Sequence, residues 1–540
     1  MNSKPLLNSD IFIYAANKNS LFYKESLKII EEKLYTGFFV TDLNLIEIFQ
    51  VITDGKKTSN PYSTQEALTY IHKLIKIPEV QILKTTPFYE VISNPDKQKE
   101  LTSLNISRFG IYDYLIADCM RVNQVKKIIT FNDKAFLKFN WLEVYRPTKK
   151  TISKAKKCKI IPYGHQSIDE KDVAAVCTAL RSDWLTTGPK VTEFEKEFAN
   201  YTGTKYAVAV SSGTAALHAA MFAIDIKPGD EVIVPAITFA STANCVVFQG
   251  GTPVFADVDP DTLLIDPVQV EAKITPRTKA IIAVDYAGQP CDYDVLRDIA
   301  NKHNLTLIAD ACHALGGSYK GRPIGSLADL NVFSFHPVKP ITTGEGGMIT
   351  TNNPELSERM RIFRNHGITT DYHQREEQGS WFYEMADLGY NYRITDIQCA
   401  LGLSQLKKLP FWIKRRQEIA KKYDTAFSKL PAIQPLKVKP NVSHAYHLYV
   451  ICLDLNKLRV SRAEIFTRLR AKGIGVNVHY IPVHLHPFYQ KKFKTQSGMC
   501  PVAETAYEEI ITLPIFPKMS DEDVEKVIDA VKKIVKTSLK

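Results

Sequence analysis

The stretches LIADACHALGG, Leu307 to Gly317, and NVFSFHPVKPITTGEGG, Asn331 to Gly347, decide how this chain folds and what it holds. The apolar run that begins at Leu305 stops abruptly at an acid, Asp310. A second apolar run, Asn331 to Phe335, carries Ser334 and is followed by His336 and Lys339. Short apolar runs bounded by glycine-rich turns read as buried strands. Open α/β sheets bind their ligands outside the carboxyl ends of such strands. An acid at one strand end and a lysine just past another is what pyridoxal phosphate needs. The amine forms a Schiff base with the aldehyde, and a carboxylate keeps the pyridine nitrogen protonated so that the ring accepts electrons. A single Asp or Lys is usually an exposed charge or a cap. The apolar flanks and the glycines after Lys339 argue for a site here.

Upstream, the strand-like KYAVAV runs into the small-residue helix SSGTAALHAAMFA. Ser212, Gly213 and Thr214 at that junction offer free N–H groups and a helix dipole to a phosphate. EVIVPAITFASTANCV, PVFADV and KAIIAVDYAG continue the alternation of strand and helix. That succession predicts an α/β fold with a mostly parallel sheet covered on both faces. The pattern changes from about Leu403: a charged helix, LKKLPFWIKRRQEIAKKYDTAF, precedes strand-like HAYHLYVICL and VNVHYIPVHLH. A helix, DEDVEKVIDAVKKIVKTSL, closes the chain. His479, His484 and His486 lie in the second of those runs, but no acid or cysteine is spaced to complete a zinc set with them.

The words DACHALG, SFHPVKPITTGEGG and GYNYRITDIQCALG resemble the sugar aminotransferases of the DegT/DnrJ/EryC1/StrS family, over about residues 160 to 540. The resemblance implies the type I fold of pyridoxal-phosphate enzymes, with a large domain at 160–402 and a small α+β domain at 403–540. It implies Lys339 and Asp310 as the catalytic pair, with Ser334 joining Ser212, Gly213 and Thr214 at the phosphate and Phe239 stacked on the cofactor ring. It implies that Asn391 reaches the phosphate of a neighbouring subunit, in a homodimer with shared sites. Tyr163, the turn Leu185, Thr186, Thr187 and Gly188, and the run Tyr446, His447, Leu448 and Tyr449 would face a nucleotide sugar. Lysine at 339, where some members carry histidine, favours transamination over dehydration. VDYAGQ beside SFHPVKPITTGEGG is nearest the branch acting in pseudaminic acid biosynthesis. That branch implies L-glutamate as donor and C4 of a UDP-linked 4-keto-6-deoxy-N-acetylhexose as acceptor; another nucleotide sugar of the family is the alternative.

A chain of 540 residues is too long for one core. Residues 1–147 form a separate domain. The net charge of +11 is not spread over a binding face, because the segment 148–159 alone carries six lysines and no acid. It reads as a solvated linker. In 1–147, a strand-like run Leu6 to Tyr14 holds Asp10, NLIEIFQVI holds Glu47, FGIYDYLIADCM holds Asp113, and Asp133 follows VKKIITFN. Separated acids among apolar neighbours suggest a shared carboxylate cluster, and oxygen-only ligation favours magnesium or manganese. The pattern resembles the PIN-domain ribonucleases, which implies RNA as partner. In that family the last acid often follows Thr-x directly, whereas Asn132 intervenes here, and Asp118 is a substitute for Asp133. A nuclease whose fused pyridoxal-phosphate fold only senses the cofactor is the second functional class. There is no apolar run near 18 residues and no secretory signal pattern in the first 20, so neither membrane nor export is expected. Nine scattered cysteines, never as Cys-x-x-Cys, suggest reduced thiols in a cytoplasm.

Overall fold

Two separate sheets, one parallel and one mostly parallel, organise the units Met1–Cys158 and Lys159–Lys540 of this computed structural model. The structure describes residues 4–17, 19–20, 22–34, 36–55, 57–58, 61–104, 110–147, 160–370, 375 and 379–540. The expected linker, 148–159, lies outside them.

In the first unit the strands are β1 (Leu6–Leu7), β2 (Phe38–Thr41), β3 (Val80–Leu83), β4 (Lys127–Ile129) and β5 (Glu143–Tyr145). They lie in the order β3-β2-β1-β4-β5, all parallel. The run from Leu6 to Tyr14 is not one strand: β1 stops at Leu7, and a helix occupies Ser9–Ala16. Polar Asn8 ends the strand, donating to Thr130 Oγ1 and accepting from Asn44 Nδ2. Ile11 and Phe12 then bury on a helical face. Asp10 therefore sits in the first turn of a helix.

The second unit is built on a seven-stranded sheet. Its strands are β6 (Tyr206–Val210), β7 (Glu231–Pro235), β8 (Thr252–Ala256), β9 (Thr278–Val284), β10 (Thr306–Asp310), β13 (Leu330–Ser334) and β14 (Gly347–Thr351). The small strands β11 (Ser318–Tyr319) and β12 (Arg322–Pro323) lie outside it. The order is β6-β14-β13-β10-β9-β7-β8, and only β14 runs antiparallel to its neighbours. Near-continuous apolar runs such as Ala207–Val210 and Ala280–Val284 are buried, as strands covered on both faces must be. The helix Gly213–Ala223 packs on β13 and β14, its alanines allowing close approach.

A second apolar cluster marks the smaller lobe. There β15 (Ile433–Pro435), β17 (Tyr449–Leu453) and β18 (Ile510–Leu513) pair antiparallel, with helices Leu409–Phe427 and Asp521–Lys536 against them. The strand β16 (Val442–Ser443) pairs with β11 instead. Ile161, near the start of the unit, belongs to this cluster and bridges Ile474. VNVHYIPVHLH forms no strand: Asn477 bridges Thr512, and a 3₁₀ turn follows at Val483–Leu485. Pro482 has no N–H to give a ladder. Among the described residues no helix is long and apolar enough to cross a membrane.

Candidate active site

Asp310 is the last residue of β10 and is buried; its Oδ2 accepts from Thr242 Oγ1 at 2.7 Å and its Oδ1 from Cys312 N at 3.3 Å. Thr238 Oγ1 lies 2.7 Å from Thr242 Oγ1, so a short hydroxyl chain fixes the carboxylate. Lys339 sits on the connection between the antiparallel neighbours β13 and β14, its amide donating to His336 O at 2.9 Å. Burial lowers the Lys339 ammonium's pKa, an effect its neighbours Cys312 and Asp310 oppose.

Three buried imidazoles, His313, His447 and His479, lie close enough to feel the Lys339 charge, whereas the sequence alone sets His447 with the sugar-facing residues and gives His479 no role beside the lysine. His313 and His447 have ring centroids 4.4 Å apart. Tyr480 OH lies 3.1 Å from His313 Nε2, and His479 Nδ1 lies 2.9 Å from Thr512 Oγ1. Burial, reinforced by the Lys339 charge, pushes His313 and His447 well below the usual histidine range and His479 down to about 4. All three are neutral, so Lys339 is the basic group of the cluster. His447 and His479 come from the smaller lobe, far away in sequence, and no local spacing could have joined them to Lys339. His484, from the same segment, is buried against Glu504 at 2.9 Å.

The expected phosphate residues converge. Ser212 caps the helix Gly213–Ala223, accepting from Ala215 N at 3.1 Å. A Cβ on Gly213 would stand 2.8 Å from Ser334 Cβ, so the helix start and Ser334 meet only because residue 213 is glycine. The helix's first amides lack intrahelical acceptors, and a helix start of this kind suits an anion. Phe239, at the start of the next helical segment, is 59% exposed although it follows a fully buried strand. An exposed ring there, 6.0 Å from Tyr480, is available for stacking rather than used in the core. These residues fit pyridoxal phosphate: a dry lysine, a fixed carboxylate, an anion cradle and a free aromatic face.

The expected sugar residues divide. Tyr163 is half-buried, its ring 5.1 Å from that of His479. Leu185 is exposed, and Thr186 and Thr187 line a cleft of about 920 Å³ that also holds Arg361, Arg364, Arg375 and Arg393. Gly188 has a structural task. Its N–H donates to Asp396 Oδ2 at 2.7 Å, and a Cβ there would stand 2.5 Å from Trp184 Cβ. Tyr446 stacks on His444 at 3.9 Å. Leu448 and Tyr449 are core residues and not sugar contacts, since both are buried and the Tyr449 hydroxyl is given to Asp424 at 2.6 Å. Asn391 is exposed and bridges Asn365.

A scan of family patterns matches residues 166–532 to the DegT/DnrJ/EryC1/StrS aminotransferase family. The chain belongs to that family. It is 46% identical over 383 residues to the spore coat polysaccharide biosynthesis protein SpsC of Bacillus subtilis, covering 71% of this chain and 98% of that protein. Among solved structures, the pyridoxal-phosphate form of the Streptococcus pneumoniae sugar aminotransferase Spr1654 superposes with a TM-score of 0.66 at 36% identity, covering 71% of this chain and all of that one. Helicobacter pylori PseC, an aminotransferase of pseudaminic acid biosynthesis, superposes with a TM-score of 0.66 at 35% identity, covering 70% of this chain and all of that one. The second unit is thus a pyridoxal-phosphate sugar aminotransferase by family, and that family uses nucleotide sugars and an amino donor.

In the first unit the expected four-acid set is not assembled. Among the described residues no group of three or more His, Cys, Asp and Glu side chains is arranged to hold a metal ion. Asp10, Glu47 and Asp113 do feel one another: burial, then the charges of Glu47 and Asp10, raise the Asp113 carboxyl to about 7. Asp10 accepts from Thr130 Oγ1, Phe131 N and Asn132 N, yet burial still raises its pKa. Glu47 accepts from Ser9 Oγ. Asp133 turns instead to Arg146 at 3.2 Å. Asp118 does not replace it, because Lys97 at 2.5 Å and Arg121 at 2.9 Å outweigh its burial and hold it in ion pairs. The residues present do not fit the magnesium or manganese site expected.

Proposed function

We propose that the chain moves an amino group from L-glutamate to C4 of a UDP-linked 4-keto-6-deoxy-N-acetylhexose, as in pseudaminic acid biosynthesis. The observation that carries the reaction type is a buried Lys339, its pKa lowered by that burial, beside Asp310 and close to three neutral imidazoles. The likeness to PseC and the VDYAGQ run at Val284 to Gln289 support the substrate. When bound, pyridoxal phosphate supplies the electron sink for cleaving and forming the bonds at the amino-bearing carbon. Asp310, fixed by the Thr242 hydroxyl, would pair with the ring nitrogen. Ser212, Gly213, Thr214 and Ser334 would hold the phosphate, and Phe239 would cover one ring face and exclude water. Lys339 Nζ takes up and returns the proton, a task that needs the amine neutral near working pH. Arginines beside Thr186 and Thr187 suit the diphosphate of the nucleotide.

The proposed assembly is a homodimer in the cytoplasm, with Asn391 completing the partner's phosphate site. Exposed Asn391 follows a run with Trp381 86%, Met385 66% and Leu388 68% exposed, an apolar surface fit for a second copy. All eight described cysteines are free. For the first unit we retain a PIN-like fold, supported by its parallel sheet and by the meeting of Asp10, Glu47 and Asp113, without metal-dependent cleavage of RNA. The test is incubation with glutamate and a panel of UDP-linked 4-keto sugars, reading 2-oxoglutarate and the amino sugar by mass spectrometry. Formation of 2-oxoglutarate with no amino sugar from any UDP-linked member would reject the substrate while leaving the family intact.

A further inference from the structure

We propose that His218 is a positioning residue: through Tyr392 it sets the segment that hands Asn391 to the neighbouring subunit. The proposal rests on the shared-site reading above.

The segment Tyr390 to Tyr392 is extended. His366 N donates to Tyr390 O and Tyr392 N to Arg364 O, each at 3.0 Å. Side chains alternate along an extended chain. The Tyr390 and Tyr392 rings accordingly share one face, stacked at 5.1 Å and 12°, and Asn391 between them is exposed. The ring face packs on Phe363, 5.3 Å from Tyr390, and on His218, 5.0 Å from Tyr390. Tyr392 O accepts from Ser211 N at 2.8 Å, which ties the segment to the strand end that enters the phosphate turn.

His218 locks the arrangement. Gln249 Nε2 lies 2.9 Å from His218 Nε2, and an amide nitrogen can only donate. With Gln249 Nε2 as the donor, the ring proton lies on Nδ1, which faces the Tyr392 hydroxyl at 3.2 Å. Burial holds the ring neutral, with its pKa down to about 4. A charged ring would have to donate from Nε2 into the Gln249 amide. His218 lies on the helix Gly213–Ala223, whose first turn forms its own subunit's phosphate cradle. One helix thus serves its own cofactor at its start and, further along, the neighbour's.

The experiment is subunit mixing with His218→Leu. The homodimeric variant is expected to bind pyridoxal phosphate about tenfold more weakly, as for one lost hydrogen bond in a buried network, with the melting of the cofactor-free protein unchanged. His218→Asn, whose amide can replace the Nδ1 donor, should recover most of that affinity. Mixed with Lys339→Ala subunits at a cofactor concentration too low to load the homodimeric variant, His218→Leu should regain activity as Asn391→Ala does, because the intact Lys339 is then served by an intact segment from the other subunit. If His218→Leu stayed inactive in the mixture while Asn391→Ala recovered, His218 would act within its own subunit and the proposal would be overturned. If Asn391→Ala also failed with subunit exchange confirmed, the shared-site reading would fall and this proposal with it. Tyr392→Phe, which removes only the hydroxyl, gives the same readouts should His218→Leu not fold.

Discussion

Replacing Asp113 with Asn should stabilise the first unit, and by more as the pH rises. The carboxyl is raised from an ordinary 3.8 to about 7 by burial and by the charges of Glu47 and Asp10. Unfolded, it loses its proton near 3.8; folded, it keeps it until about 7. Between those values the folded state binds more protons, so the group's contribution to stability falls as pH rises, and the full penalty stands above 7. Three units correspond to about 4 kcal/mol at the upper limit. Partial solvent exposure and the sharing of charge with Glu47 and Asp10 reduce this to about 2 kcal/mol. For a unit of this size that is about 6 °C in Tm at pH 8, and under half as much at pH 5. Calorimetry of the full chain, wild type against Asp113→Asn at both values, reads the difference in the transition that moves. An equal gain at pH 5 and pH 8 would mean that the variant acts through packing, and the electrostatic account would be wrong.

Four further outcomes are expected. Lys339→Ala should fold normally but lose both the visible absorbance of the lysine-linked cofactor and all turnover, checked by spectrum and melting curve. Equal mixing of Lys339→Ala with Asn391→Ala should restore about a quarter of wild-type activity, since half the dimers are mixed and each holds one intact site. Gly213→Ala places a methyl 2.8 Å from Ser334 Cβ, and overpacking at the cradle should weaken cofactor binding about tenfold or more, read by titration. Glu195 is buried with Arg361 at 2.7 Å and Arg364 at 2.5 Å, whose charges outweigh its burial and lower its pKa. Glu195→Gln strands two arginines and should cost about 3 kcal/mol at neutral pH, measured by denaturant melts; the wild type loses that contribution on acidification through the glutamate's lowered pKa.

The parts of the site carried by contiguous words were legible. DACHALG and SFHPVKP announced Asp310 and Lys339 because a strand end and a following loop are local features. SSGTAALHAAMFA announced the cradle because a helix start has a local signature. The imidazole ring around Lys339 was not legible, since His447 and His479 arrive from the smaller lobe by folding alone. VNVHYIPVHLH read as a strand on its alternation, but Pro482 has no N–H for a ladder and the run bends into a 3₁₀ turn instead. In the first unit the acids of Asp10, Glu47 and Asp113 were found from apolar neighbours. Asp133 was misread because its competitor, Arg146, lies on another segment and charge pairing across a fold leaves no spacing to read.

The reversed direction of β14 has a consequence for the lysine itself. Because β13 and β14 run antiparallel, residues 335 to 346 form an arch with both feet in one sheet, not a crossover, and Phe335 N closes its base on Gly346 O at 2.8 Å. Thr343 N ties back to Phe335 O at 3.1 Å, doubling the anchor. In transamination the same amine is tethered, set loose and tethered again on every cycle. On a free-ended loop each release would return backbone disorder that the next capture must remove. Carried on a clamped arch, only the side chain changes its freedom, so little backbone entropy is exchanged at each release and capture and the loop keeps its place.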